Sequence, residues 1–199
     1  MARTRMTAAG TGKRAILGWA VALAVLAVPT GTANADSAAG SSRFTAQAQR
    51  LGLSETQAET LQRRVDFYLA KRGGTQIEIN RIRIEAGHDL VVPLPGEKKV
   101  RNITAGTETL NSGAPIPCDL GHFCLYEGPS YTGSMDDMYH CREYKEPFGT
   151  PNGSWRNNQT GGARAQFKDV DHITRWTSGP NPDHDLEADL RWVWWIQPC

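Results

Sequence analysis

The chain lacks several features that would place it in a common functional class. Its basic and acidic residues nearly balance, since 22 Lys and Arg stand against 21 Asp and Glu. Nucleic-acid binding rests on the neutralisation of phosphates, so this balance argues against a DNA- or RNA-binding protein. The Cys-x2-Cys and His-x3-His spacings of metal sites and the Gly-x-Ser-x-Gly turn of serine hydrolases are also absent. We therefore expect no catalytic site, no metal site and no cofactor.

Long apolar runs are missing beyond the first 35 residues. This first segment has basic residues, an apolar core over residues 16–28 and a small-x-small sequence over residues 33–35. The pattern is that of a secretory signal peptide covering residues 1–35. Its core of about a dozen residues is too short for a membrane span, which needs roughly 20. The sequence thus predicts a secreted, extracellular protein that is weakly acidic and has no membrane association after signal removal.

Cysteine is scarce, and the four cysteines all follow the signal: Cys118, Cys124, Cys141 and Cys199. An even number of cysteines in an exported chain predicts disulfides, and the spacing does not match that of zinc ligands. Four cysteines allow three pairings. We expect Cys118 to pair with Cys124, which closes a short loop, and Cys141 to pair with Cys199, which ties down the C-terminus.

One helix is predicted near the start of the exported part. Residues 36–52 are rich in Ser, Ala and Gly and predict a flexible arm. Ser54 and Gln57 then form a capping-box pattern, and apolar residues follow at spacings of three and four. Gly73 supplies a stop signal. The pattern predicts a helix from Glu55 to Arg72.

A hairpin is predicted after the helix. Isoleucines alternate with polar residues over residues 77–85, and the phase slips at Asn80, which predicts a strand with a bulge or bend. Residues 90–94 predict a second short strand, which ends among prolines. We expect helix and hairpin, residues 53–95, to form a small extension that docks on the rest of the chain. Residues 96–116 predict a linker.

Residues 117–199 show no helical periodicity. Short strand-like segments alternate there with clusters of Gly, Pro and Asn. The strand candidates are residues 123–127, 135–141, 154–158, 164–168 and 191–197. The sequence therefore predicts an all-β domain stabilised by disulfides. Asp136 and Asp137 are neighbours in one predicted strand, so their carboxylates should face opposite sides and not act on one bond.

An aromatic-x4-aromatic-x-Gly sequence is formed by Tyr126, Tyr131 and Gly133. It resembles the Greek-key motif of the β/γ-crystallins, in which the glycine permits a tight hairpin and the aromatic rings pack over the fold. In that family a serine further along the chain holds the hairpin, and Ser154 lies in a stretch that resembles the one supplying it. The resemblance implies an all-β, crystallin-like Greek-key sandwich with a small helix-and-hairpin extension.

The spacing of the cysteines makes this resemblance more specific. Cys118-x5-Cys124, followed by Leu125, Tyr126 and the glycine turn, is similar to the opening of the streptomycete metalloproteinase inhibitors, a family of secreted peptidase inhibitors. The arm, helix and hairpin resemble an N-terminal extension of secreted actinobacterial proteins. The resemblance implies a non-enzymatic, monomeric inhibitor whose partner is a secreted metallopeptidase.

Two segments are candidates for an inhibitory loop, residues 145–153 and residues 177–189. Phe148, in the first segment, is the side chain best suited to an apolar specificity pocket. Neither segment carries a motif that marks a reactive bond. A further possibility is that residues 36–117 form a pro-segment that is removed from the secreted product.

The second half of the predicted domain departs from the crystallin pattern. After Phe167, the positions that should hold an aromatic residue and a glycine are His172 and Thr174. A calcium motif of that family begins correctly at Asn157 and Asn158 but lacks the hydroxyl residues at its end. Calcium needs about six to eight oxygen ligands, so this departure argues against a calcium site.

Tryptophans are concentrated near the C-terminus. Trp192, Trp194 and Ile196 fall on one face of the last predicted strand, and Val193 and Trp195 fall on the other. We expect both faces to be buried, one in the sandwich and one under the N-terminal helix, because a small core needs large apolar side chains. The alternative is an exposed platform in a carbohydrate- or cell-wall-binding module of the same fold.

Overall fold

The computed structural model describes residues 44–103 and 118–199. The predicted signal peptide, the start of the predicted arm and residues 104–116 of the predicted linker lie outside these ranges. Within the described residues, no helix has the length and apolar character needed to cross a membrane.

Two helices precede the strands in the described residues. The first, α1, covers residues 44–50, and the second, α2, is Glu55–Arg72. The capping box predicted for α2 is present, since the Ser54 hydroxyl accepts from the Gln57 N–H and the Gln57 side chain accepts from the Ser54 N–H. Helix α1 corrects the prediction of a flexible arm there. Ala48 is buried in a cluster with α2, so packing decides the conformation of this polar segment.

The predicted bulged strand is instead a tight hairpin. Strands β1 (Thr75–Glu78) and β2 (Arg81–Glu85) pair antiparallel across a turn at residues 79–80, and β3 is His88–Val91. Asn80 is buried in that turn, and its side chain donates to the Val92 carbonyl over 3.0 Å. The break in the alternation of isoleucines with polar residues therefore marks the turn between two strands.

The remaining strands confirm the predicted all-β class. They are β4 (His122–Tyr126), β5 (Met135–Met138), β6 (Tyr144–Lys145), β7 (Gly153–Asn158), β8 (Gln166–Lys168), β9 (Thr174–Thr177), β10 (Asp183–Ala188) and β11 (Trp195–Gln197). All pairings are antiparallel. The predicted strands correspond to β4, β5, β7, β8 and β11. Sequence patterns missed β6, β9 and β10, which are very short or largely exposed and so lack apolar alternation.

The strands form two sheets, and each half of the domain contributes one strand to the sheet of the other half. The seven-stranded sheet has the order β1-β2-β3-β5-β4-β7-β10, and the four-stranded sheet has the order β6-β11-β8-β9. In each half of the domain, the fourth strand returns beside the first, as in a Greek key. The third strand of each half, β6 or β10, joins the opposite sheet. The two halves are therefore interlocked.

The extension is continuous with the main sheet. Strand β3 pairs with β5 over four residue pairs, from His88 opposite Met138 to Val91 opposite Met135. Part of the predicted linker is also packed, since Val100 is buried beside Tyr126 and Met135. The extension is thus an integral part of the sheet.

One row of side chains shows how the layers are arranged. Cross-strand partners share a face of a sheet, and the pairs across β2, β3, β5, β4 and β7 give the row Ile82, Leu90, Asp136, Leu125 and Trp155. Ile82 and Leu90 pack with α2, whereas Leu125 and Trp155 pack in the sandwich core. Helix α2 and the four-stranded sheet therefore lie side by side on the same face. The buried aspartate falls at the boundary between the two cores.

Both predicted disulfides are present, Cys118 with Cys124 and Cys141 with Cys199. The first closes the entry to β4. The second joins the segment after β5 to the residue that ends the chain, and so it links the two Greek-key halves. No cysteine is left free.

Candidate functional site

The loop of residues 145–153, between β6 and β7, is fixed from behind by several hydrogen bonds. The Glu146 carboxylate accepts from the backbone N–H groups of Phe148 and Gly149, both at 2.7 Å. Lys71, in the last turn of α2, donates to the Pro147 carbonyl over 2.8 Å. The Leu190 N–H donates to the Thr150 carbonyl over 2.9 Å. The loop backbone is therefore held over residues 147–150.

The apex of this loop faces solvent. Gly149, Pro151 and Asn152 are exposed, while Thr150 is half-buried. Gly149 has a φ of 60°, in the left-handed region that favours glycine. An exposed segment with a fixed backbone and small side chains can enter the cleft of a partner without reordering.

Phe148 does not lie at this apex. It is half-buried, packs against both hydrophobic cores and meets the Tyr68 ring edge-on, with centroids 6.4 Å apart. The sequence assigned this side chain to a partner's specificity pocket. The structure instead makes it the anchor of the loop on α2, because the helix supplies an apolar surface directly behind it.

A cluster of ionisable groups, here called the seam, lies at the boundary between the two cores. It consists of Arg72, His88, Asp136 and Glu146. His88 and Asp136 are fully buried, and the Arg72 side chain is nearly so. His88 Nε2 lies 2.8 Å from Asp136 Oδ2, and Arg72 Nη2 lies 3.8 Å from the same oxygen. Arg72 also donates to the Lys145 carbonyl over 3.0 Å, which joins the seam to the start of the loop.

Glu146 is the titratable group that connects the seam to the loop. Burial raises the pKa of Glu146, and the negative charge of Asp136 raises it further. Hydrogen bonds from the Phe148 and Gly149 N–H groups and the charge of Arg72 act in the opposite direction. The balance raises the pKa of Glu146 to about 7. This carboxyl group can therefore change its charge near neutral pH.

Asp137, the neighbour of Asp136, belongs to a different cluster on the opposite face of the sheet. His122 Nδ1 lies 2.6 Å from Asp137 Oδ1, and Arg81 lies 4.0 Å from the other carboxylate oxygen. Burial lowers the pKa of His122, but the hydrogen bond and charge of Asp137 outweigh this effect and raise it. The two adjacent carboxylates thus have separate partners, as the strand alternation predicts.

The residues of the crystallin-like motif meet around the hairpin between β4 and β5. Tyr126 is fully buried, with its ring centroid 5.1 Å from that of Tyr131, and Gly133 has a φ of 78°. The Ser154 hydroxyl accepts from the Tyr131 N–H over 2.9 Å and donates to the Gly128 carbonyl over 2.7 Å. Ser154 therefore holds the hairpin from a neighbouring strand. These residues build the scaffold, and Ser154 directly follows Gly153, the last residue of the loop.

The second Greek key closes its hairpin differently. Asp169 accepts from the N–H groups of Asp171 and Ile173, both at 3.0 Å. His172 has a φ of 62°, and its ring stacks on Trp195 with centroids 4.3 Å apart. A local aspartate thus replaces the glycine and distant serine of the first key.

The tryptophan surface differs from the expectation of burial. Trp176, Trp192 and Trp194 are 43%, 39% and 47% exposed. Val193 and Ile196, which the predicted strand placed on opposite faces, are both buried in the sandwich core, because only Trp195–Gln197 forms a strand there. Helix α2 covers β1–β3 and not the C-terminal segment, so it does not bury the tryptophans. This corrects the prediction and makes the exposed aromatic surface a second candidate site.

Among the described residues, no group of three or more His, Cys, Asp or Glu side chains could hold a metal ion. Asn157, the first residue of the degenerate calcium motif, is engaged in the fold. Its amide donates to the carbonyls of Ala163 and Gly179, both at 2.9 Å.

Sequence reasoning did not single out Arg72, His88 or Glu146. The available signal was Asp136, a charged residue at a position of the strand that alternation assigns to the core. Comparisons of the chain with protein-family models, with curated proteins and with solved structures find no match.

Proposed function

We propose that the protein is a secreted, monomeric inhibitor that binds a metallopeptidase through residues 149–152, the exposed apex of the 145–153 loop. The observation that carries this proposal is the fixation of the loop from behind by Glu146, Lys71 and Leu190. A loop that is already ordered loses little conformational entropy when it binds. The resemblance of the cysteine frame and hairpin motif to the streptomycete metalloproteinase inhibitors supports the same assignment.

The proposed mode of binding is non-catalytic. The apex enters the peptidase cleft in its existing conformation, while Phe148 stays packed on Tyr68 and resists displacement of the backbone. The two disulfides and the interlocked sheets prevent the loop ends from separating. The bound segment is therefore released unchanged, or is cut only slowly.

An inhibition assay against a thermolysin-like metallopeptidase tests this proposal. We expect inhibition at or below micromolar protein, and Pro151→Asp should weaken it about tenfold or more, because it places a charge at the centre of the contact. Leu186→Asp, in the exposed part of the other candidate segment, is the matched control and should have no effect. No inhibition by the unaltered protein at micromolar concentration would refute the function. Loss with Leu186→Asp alone would refute the choice of loop.

The exposed tryptophans favour a second candidate function, binding of a carbohydrate or cell-wall polymer. Aromatic rings on a surface offer apolar faces to sugar rings, and Trp176, Trp192 and Trp194 are all exposed. Tryptophan emission titrated with soluble glycans separates the candidates. A saturable shift that is lost in Trp194→Ala would establish glycan binding, whereas unchanged emission would remove this candidate.

A further inference from the structure

The C-terminal end of helix α2 contacts the first part of the 145–153 loop. Three residues spaced three and four apart, and so on one face of the helix, make these contacts: Tyr68, Lys71 and Arg72. Arg72 donates to the Lys145 carbonyl over 3.0 Å, and Lys71 donates to the Pro147 carbonyl over 2.8 Å. The Tyr68 ring meets the Phe148 ring edge-on. One face of the helix therefore binds three of the first four residues of the loop.

The contact at Pro147 depends on a side chain of the helix. Proline has no backbone N–H, so a hydrogen bond can hold Pro147 only through its carbonyl. Pro147 is buried, and Lys71 is the residue of α2 that donates to this carbonyl. Lys71 itself is exposed, so replacing it does not disturb a core. A substitution at Lys71 thus isolates the contribution of α2 to the conformation of the loop.

Helix α2 is fixed to the scaffold by contacts that do not involve the loop. The Tyr68 hydroxyl donates to Ser134 over 3.1 Å, and Arg64 binds Glu127, both at the first Greek-key hairpin. Strand β3, which belongs to the same extension, pairs with β5 over four residue pairs. The position of the helix therefore does not depend on the loop, and the helix can serve as a fixed support for it.

We propose that helix α2 is a positioning element of the peptidase-binding site, which keeps the 145–153 loop in its binding conformation, so that inhibition requires the extension. This inference rests on the proposed inhibitory function. Without the support of the helix, the loop backbone samples a wider range of positions, and only some of them fit a peptidase cleft. The inhibitory form of the protein therefore retains residues 53–95, and the extension is not a pro-segment whose removal activates the inhibitor.

Lys71→Met tests this support in the full chain, because it removes the donor to Pro147 and keeps an apolar side chain of similar length. We expect the Phe148 and Gly149 amides to exchange about fivefold faster with solvent, the effect of one hydrogen bond. The inhibition constant for a thermolysin-like metallopeptidase should rise by about twofold to fivefold, because it follows the fraction of molecules whose loop has the binding conformation. Lys71→Arg keeps a donor and should restore both values. Arg63→Met, at an exposed position earlier in the helix, is the matched control and should change neither.

A second control separates positioning from a general loss of stability. Val100 is buried beside Tyr126 and Met135, in a cluster that does not include the loop. Val100→Ala should therefore lower the stability of the protein but leave loop exchange and the inhibition constant unchanged at temperatures where the protein is folded. Equal changes of both values in Val100→Ala and Lys71→Met would overturn the positioning role of Lys71.

The exchange and inhibition measurements decide different points. Loop exchange that is the same in Lys71→Met and in the unaltered protein would overturn the support by α2. Faster exchange with an unchanged inhibition constant would overturn the link between this support and binding. Exchange needs no peptidase, so a lack of inhibition by the unaltered protein would refute the proposed function, while exchange would still show whether α2 supports the loop.

Mass spectrometry of the inhibitor released from its complex with the peptidase tests the retention of the extension. We expect the released inhibitor to contain residues 53–95. A bound inhibitor that lacks these residues would overturn the proposal.

Discussion

The two Greek-key hairpins of the domain close by different means. The first, between β4 and β5, is held by Ser154 from a neighbouring strand and touches α2, because Tyr68 donates to Ser134 over 3.1 Å and Arg64 binds Glu127. The second, between β8 and β9, is held by Asp169 from within its own turn. Its turn residues Val170 and Ile173 are 54% and 50% exposed. The first hairpin therefore depends on distant residues, and the second depends on its own sequence.

This difference explains where the extension lies. The extension adds β3 next to β5 and places α2 against the first hairpin, so it supports the half of the domain that closes through non-local contacts. The second half keeps its exposed aromatic surface. We infer that the first half loses more stability when single contacts are removed.

The largest expected effect comes from the bridge that joins the two halves. The stability lost when a disulfide is removed increases with the logarithm of the number of residues in the loop that it closes. The Cys141–Cys199 bridge spans 58 residues and the Cys118–Cys124 bridge spans 6. We expect Cys199→Ser to cost about 4 kcal/mol and Cys118→Ser to cost about 2 kcal/mol. Denaturant unfolding of both variants checks this order, and equal losses would contradict it.

Ser154→Ala tests the closure of the first hairpin. The Ser154 hydroxyl is buried and makes one hydrogen bond as acceptor and one as donor, so its removal leaves the Gly128 carbonyl and the Tyr131 N–H without that partner. We expect a loss of about 2 kcal/mol in the free energy of unfolding. Thr160→Ala, at an exposed position, is the control and should change stability by less than about 0.5 kcal/mol. A loss no larger than the control would mean that the hairpin does not need this bond.

Asp169→Ala tests the closure of the second hairpin and should cost less stability than Ser154→Ala, because the bonds that it removes lie at an exposed turn. Asp169→Asn separates the contribution of the backbone hydrogen bonds from that of the ion pair. The amide oxygen still accepts from the backbone, but the ion pair with Arg175 is lost. We expect this variant to be about as stable as the unaltered protein, because exposed ion pairs contribute little. A larger loss than for Ser154→Ala would reverse the comparison.

Local sequence patterns predicted much of this fold, but they did not predict the contacts between residues that are far apart in the sequence. The capping box and the glycine stop placed α2 at Glu55–Arg72, where the structure has it. Cysteine spacing led to the observed disulfide pairing. In contrast, the pairing of β3 with β5 brings together His88 and Asp136, and no local signal connects residues so far apart. The exposure of the tryptophans was mispredicted for the same reason, since it depends on which strands α2 covers.

The smallest expected effect concerns the contact between α2 and the first hairpin. Burial raises the pKa of Glu127, but the hydrogen bonds from Arg64 and from the Ser134 N–H outweigh it and lower the pKa. A lowered folded pKa means that the pair stabilises the protein above the unfolded pKa, and that this contribution disappears as the pH falls through the folded pKa. Both side chains are partly exposed, so Arg64→Met should cost less than about 1 kcal/mol at pH 7, and the cost should be smaller at pH 3. Arg63→Met is the matched control, because Arg63 lies on the same helix and pairs only with exposed Glu59 among the described acidic residues. Thermal unfolding at the two pH values measures the difference in stability between the two variants. If the cost of Arg64→Met does not change with pH, the contact with the first hairpin depends on packing of the Arg64 side chain and not on its charge.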